Sequence, residues 1–127
     1  MNESDKKTRI PATRFEELLV WQKAHKMVLE LYLITKSFPH QEIYCLTSQM
    51  RRAAISVPAN IVEGFRKNGK ADKLRFLNIA QGSLDELKYY IILSLDLGYI
   101  SEDKIKGLIE EVSKLIEGYS KGIRKSE

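Results

Sequence analysis

The chain has little of what marks a secreted, metal-built or membrane-embedded protein. Its 127 residues include one cysteine, Cys45, which excludes an intramolecular disulfide and any zinc site made from several thiolates. A reducing compartment is expected. Three prolines and seven glycines are few, and that scarcity suits long helices better than a loop-rich sandwich or barrel. The longest apolar stretch, Ile91 to Leu97, contains Ser94 and Asp96 and falls far short of the ~20 residues of a membrane span. Met1 to Arg14 is polar and charged and lacks the apolar segment of a secretory signal. Together these absences predict a cytoplasmic protein with no membrane partner.

What is present is an ordinary globular balance, 43% apolar and 30% charged, in a length that suits one domain with a modest continuous core. The net charge of +4 is unevenly spread. Residues 51–75 hold seven basic side chains (Arg51, Arg52, Arg66, Lys67, Lys70, Lys73 and Arg75) against Glu63 and Asp72, a surplus of +5. The rest of the chain therefore sums to −1, and residues 76–120 set eight acids against four lysines.

Apolar residues recur at helical steps from Phe15 onward. Val20, Ala24, Met27, Leu31, Ile34 and Phe38 predict a first helix over 15–37, with Leu18, Trp21, Val28 and Tyr32 as an adjoining seam; Phe38-Pro39 ends it, because a residue before proline avoids helical backbone. Leu46, Met50, Ala53, Val57, Ile61 and Phe65 predict a second helix over 42–66. Its small residues Ala53, Ala54 and Ser56 permit close approach of a neighbour. Pro58 lies inside this stripe and predicts a kink, since the stripe continues in phase beyond it. Asn68-Gly69 reads as a left-handed stop. A third helix, 70–97, carries two seams: Leu77, Ala80, Leu84, Leu87 and Ile91, and beside them Phe76, Ile79, Ser83, Tyr90, Leu93 and Leu97. Gly98 is expected as a left-handed cap and Ser101 as the N-cap of a fourth helix, with Glu102 and Asp103 in its first turn.

The expected fold is all-α, an up-down-up-down antiparallel four-helix bundle over 15–119, with a flexible basic arm at 1–14 and a frayed basic tail at 120–127. Helices 1 to 3 carry more apolar surface than one small bundle must bury, so self-association is expected.

Chemistry is scarce. His25 shares a stripe with Trp21, Val28 and Tyr32 and reads as a packed structural histidine, His40 as a solvated loop residue, and Cys45 as a small buried thiol. Neither histidine has an acid three positions earlier, so the carboxylate and histidine spacing of a di-iron bundle is missing. Gly64 and Gly69 lack the spacing of a phosphate-binding loop. No catalytic residue, cofactor or metal is expected.

Two segments stand out. Within Ser56 to Phe65 a proline, an amide, a carboxylate and a glycine interrupt an apolar helix. Pro58, Asn60, Glu63 and Gly64 read as a pinned segment that fixes packing register, with Asn60 bonding the backbone group freed by Pro58; the functional alternative is a polar site at a subunit contact or pore. The other segment is the basic window. Arg52 and Arg66 are fourteen residues apart, so they project within about 40° of each other and about 20 Å apart along a straight helix. Lys67, Lys70 and Lys73 crowd the same end. Such a row suits a phosphate backbone, and a solvated charged face is the plain alternative.

Phe15 with Val20-Trp21-Gln22-Lys23-Ala24, Gln49-Met50-Arg51-Arg52-Ala53-Ala54-Ile55-Ser56-Val57-Pro58-Ala59-Asn60-Ile61-Val62-Glu63-Gly64, and Ala80-Gln81-Gly82-Ser83-Leu84-Asp85-Glu86-Leu87 resemble the four helix bundle proteins of the 23S rRNA intervening sequence family. The resemblance implies bacterial origin, a four-helix bundle and a homopentameric ring. Some members are encoded within insertions in 23S ribosomal RNA genes, which does not establish a ribosomal role. A related branch, the accessory variability determinants of diversity-generating retroelements, forms basic pentameric barrels that bind a reverse transcriptase and nucleic acid. The expectation is therefore a non-enzymatic oligomeric accessory factor associated with RNA or DNA through residues 51–75. A scaffold that docks a partner protein such as a reverse transcriptase is the alternative.

Overall fold

The helical spacing of the sequence becomes four α-helices in a computed structural model that describes residues 11–126: α1 Leu19–Thr35, α2 Leu46–Arg66, α3 Lys70–Asp96 and α4 Lys106–Lys125. Among the described residues there is no strand. Most of the expected arm at 1–14 lies outside the described residues, as does residue 127. Each helix packs against its neighbour in sequence, α1 also packs against α4, and the backbones of neither diagonal pair come close, so four helices surround one core. The α2/α3 contact is the most extensive. Its cross-links pair Met50 with Ser94, Ser56 with Ser83 and Gly64 with Lys73; α3 and α4 are linked through Gln81 with Ser113 and Lys70 with Arg124.

The core is the predicted stripes. Val20, Ala24, Met27 and Leu31 face Met50, Ala53, Ala54, Val57 and Ile61, and Leu77, Ala80, Leu84, Leu87 and Ile91 meet Ile109, Val112 and Ile116. Burying one such leucine or isoleucine contributes about 1.5–3 kcal/mol. The second seam of α3 has a different fate. Phe76, Ser83, Tyr90 and Leu93 are half-buried, whereas Ile79 and Leu97 are 41% and 49% exposed.

The helix ends depart from expectation, each for a local reason. Phe15–Glu17 forms a 3-10 turn, and extended backbone at Leu18 delays α1 to Leu19. Glu17 holds that turn by accepting the Thr13 N–H at 2.8 Å. A second 3-10 turn, His40–Glu42, precedes α2, which starts at Leu46 because Cys45 is non-helical. No left-handed stop follows α2: Gly69 has φ −88° and instead opens α3. The last carbonyls of α2 are satisfied by Lys73, whose ammonium donates to Gly64 O at 3.3 Å and Phe65 O at 3.0 Å. Gly98 does take the left-handed conformation, with φ +77°.

Ser101 does not cap α4. The helix begins at Lys106, one residue after Ile105, which is only 2% exposed; burying Ile105 sets the start, and Asp103 Oδ1 accepts its N–H at 3.2 Å. The far end of α4 does not fray at residue 120. It runs to Lys125, because Ser120 is buried and Ile123 continues the apolar stripe onto the core. Arg124 and Lys125 in its last turn complement the helix dipole.

Candidate functional site

Pro58 is buried within an unbroken α2. Asn60 does not bond the carbonyl that Pro58 frees at Ala54. Its Nδ2 donates to Ser56 O at 2.8 Å and Ser56 Oγ at 2.9 Å, and Ser56 Oγ is 2.8 Å from Ser83 Oγ on α3. A polar pin therefore joins α2 to α3. Gly64 is buried where the two helices approach: a Cβ there would lie 3.3 Å from Lys73 O and 3.4 Å from Phe76 Cβ. Glu63 points elsewhere. It is exposed and lines a cleft with Arg14, Glu16 and Arg66. The four residues of the unusual segment thus divide, with Asn60 and Gly64 at the α2/α3 contact and Glu63 on the surface.

The seven basic residues also divide. Arg66, Lys67, Lys70, Lys73 and Arg75 cluster around the α2–α3 turn. Lys67 Nζ lies 5.3 Å from the centre of the Phe76 ring and the Arg75 guanidinium 4.5 Å from it, on the scale of cation–π contacts. Lys73 is committed to the carbonyls of α2, and Arg75 reaches Asp72 at 3.9 Å. Among the described residues no carboxylate pairs with Arg66, Lys67 or Lys70.

Residues distant in sequence join this end. Arg14 shares the cleft with Arg66, and Lys70 Nζ donates to the Arg124 carbonyl at 3.5 Å, which brings the basic C-terminal turn of α4 alongside. Glu16, Glu63 and Asp72 are the local counterweights, and Glu16 is held below the usual carboxylate range by a backbone hydrogen bond and by Arg14. Arg14 and Arg124 were not singled out from the sequence. The signal was available, since the expected up-down-up-down order returns the end of the fourth helix to the turn between the second and third.

Arg51 and Arg52 lie at the other end of α2. The Arg51 guanidinium covers the Tyr32 ring at 4.5 Å, and its Nε donates to Thr35 Oγ1 at 3.0 Å, so it is fixed and half-buried. Arg52 is exposed.

Two expectations about reactive side chains are corrected. His25 is exposed and stacks on Trp21, with ring centres 5.1 Å apart and planes 5° from parallel; Phe15 meets the same indole edge-on at 5.1 Å. Aromatic stacking at the rim, not core packing, explains its place on the stripe. Cys45 is exposed because it sits in the connection before α2. His40 is exposed. Among the described residues no group of three His, Cys, Asp or Glu could hold a metal, and no helix is long and apolar enough to cross a membrane.

Residues 16–120, from the first turn through most of α4, match the family described as 23S rRNA-intervening sequence protein. The chain belongs to this family. A solved structure from Bacteroides thetaiotaomicron VPI-5482, described as a protein with unknown function from the S23 ribosomal protein family, is similar with a TM-score of 0.59. Its identity is 23%, over 83% of this chain and 94% of that one, a level at which it shows the fold. No curated protein matches. The matched span contains all seven basic residues of the window and the Ser56–Asn60–Ser83 pin.

Proposed function

We propose that this family member is a non-enzymatic, self-associating up-down-up-down bundle that holds nucleic acid against the basic end around the α2–α3 turn. The observation that carries the reading is the convergence of Arg66, Lys67 and Lys70 with Arg14 and Arg124, which come from three separate parts of the chain. Cations gathered on one surface release counterions from a phosphate backbone, a sequence-independent attraction that weakens with salt. The up-down order is supported by cross-helix pairs in which residue numbers fall on one helix as they rise on the next. Leu29, Leu33, Tyr89 and Ile92 are each more than half exposed, which supports burial against further copies of the chain, as in the ring the resemblance implies. A ring multiplies the basic ends and with them the avidity.

The test is binding of mixed-sequence RNA and DNA across a salt series. The combined variant Arg66→Glu, Lys67→Glu and Lys70→Glu lowers affinity at low salt by at least about tenfold and flattens the salt dependence by ~0.7–0.9 per lost phosphate contact. Absence of binding, or binding unchanged in the variant, overturns the reading. Light scattering at micromolar concentration tests self-association independently, and a monomer overturns that part.

A further inference from the structure

The groove between α1 and the start of α2 has a composition unlike the other clefts. Tyr32, Ile43, Tyr44, Thr47, Arg51 and Arg52 line an open cleft of about 450 Å³. A second hollow of about 270 Å³ adjoins it, sharing Ile43, Thr47 and Arg51 and adding Lys36 and His40. Among the described residues neither is lined by a carboxylate, whereas three clefts elsewhere each carry at least one: Glu30 and Glu102, Asp103 and Glu110, Glu16 and Glu63. A site that gathers guanidinium and ammonium groups without acids suits an anionic ligand.

Three features narrow the ligand. The Arg51 guanidinium is held flat on Tyr32 and tethered to Thr35, so one face is covered while the side chain stays half-buried at the cleft. Tyr44, on the connection before α2, is 91% exposed, a large aromatic ring left in water on the lining of the same cleft. Thr47, which lines both hollows, is 4% exposed, and its hydroxyl is buried with no hydrogen-bond partner among the described residues. Buried hydroxyls without partners are uncommon and costly, so turning this side chain toward the cleft to meet a polar group from outside relieves that cost. A planar cation, an open aromatic face and an unpaired hydroxyl match an unpaired nucleobase, which offers a π-face for stacking and polar edges for hydrogen bonding.

We propose that this cleft binds a base of single-stranded nucleic acid, stacked between Tyr44 and Arg51 with an edge toward Thr47 and the adjoining phosphate on Arg52. The inference rests on the nucleic-acid reading above and adds the strandedness and a second point of attachment. Arg52 and Arg66 are separated by fourteen residues of α2, about 21 Å at ~1.5 Å per residue. One single strand of the length that binding modules cover, ~4–16 nucleotides, reaches from the cleft to the basic end.

Tyr44 is the residue to change, since its exposed ring supports no packing. The full chain is titrated with a six-nucleotide oligouridylate and with a mixed-sequence RNA duplex. Tyr44→Ala weakens the single strand by about tenfold, the order of one lost base stack, and leaves the duplex unaffected; Tyr44→Phe restores the single strand. The inference is overturned if Tyr44→Ala binds the hexamer like the parent chain, or loses duplex and hexamer alike. It is also overturned if Tyr44→Ala dissociates the oligomer in light scattering, for then the cleft is a contact between copies. The two readings separate cleanly. A Tyr44→Ala defect with no effect of the Arg66, Lys67 and Lys70 reversal removes the basic end and keeps the cleft, and the converse removes the cleft alone.

Discussion

The α2–α3 hairpin and α4 build one core by different means. Nine of the 21 residues of α2 are buried, and they include Thr47, Ala53, Ala54, Pro58 and Gly64, residues that are small, polar or helix-breaking. Only four of the 20 residues of α4 are buried, three of them Ile109, Val112 and Ile116. In α4 the apolar stripe supplies area and the rest is solvated. In the hairpin, small side chains bring backbones close enough for Gly64 to meet the Lys73 carbonyl and for Ser56 and Ser83 to bond across the gap. Helix composition therefore misjudges where the bundle is tightest, because close approach depends on shape more than on apolar content.

Substitutions break or sharpen this contrast. The largest effect is expected from Leu84→Ala, fully buried on α3, which costs about 2–5 kcal/mol in denaturant unfolding through lost transfer and a residual cavity. Gly64→Val follows, with a loss of about 1–3 kcal/mol, since the new side chain presses on a main-chain carbonyl that cannot rotate away. Ser56→Ala removes the hub of the pin and costs about 1 kcal/mol by the same measurement. Gly118→Ala on α4 reverses the sign. Nothing lies within 4 Å of its added methyl, so better helix propensity stabilises by up to about 1 kcal/mol. Equal effects at Gly64 and Gly118 would abolish the distinction between the two regions.

Alkali gives the gentlest test. Burial foremost, then Glu86, raises the Tyr90 hydroxyl above its ordinary range; the hydrogen bond to Glu42 foremost raises Tyr99; burial raises Tyr119. The folded chain thus keeps protons that the unfolded chain gives up. Their contribution is fully present below the usual tyrosine value of about 10 and is lost as pH climbs past it. Tyr99→Phe removes the 2.7 Å bond to Glu42 and makes the alkaline decline of thermal stability shallower.

Much of the fold was legible because periodicity reports burial directly: Val20, Ala24, Met27 and Leu31, and Leu77 through Ile91, lie where their spacing puts them. The helix ends were less so. Gly69 and Ser101 carry familiar boundary chemistry, yet a lysine from the next helix and a buried isoleucine decide the ends of α2 and α4. Tertiary contacts outrank local preference there. For the site, the basic window marked the right residues but merged two places, since a linear charge count does not see that α2 carries Arg51 and Arg66 to opposite ends. The cleft around Tyr44 was invisible to spacing, because Tyr32 and Tyr44 come together only when α1 packs on α2.

Trp21 is the chain's sole tryptophan, and its indole lies between an imidazole and the Phe15 ring. Its emission is therefore a built-in optical gauge of whether the segment ahead of α1 stays seated. Because Phe15 also lines the cleft shared by Arg14 and Arg66, a change in the colour or intensity of that emission on adding nucleic acid would report occupation of the basic end, without any dye attached.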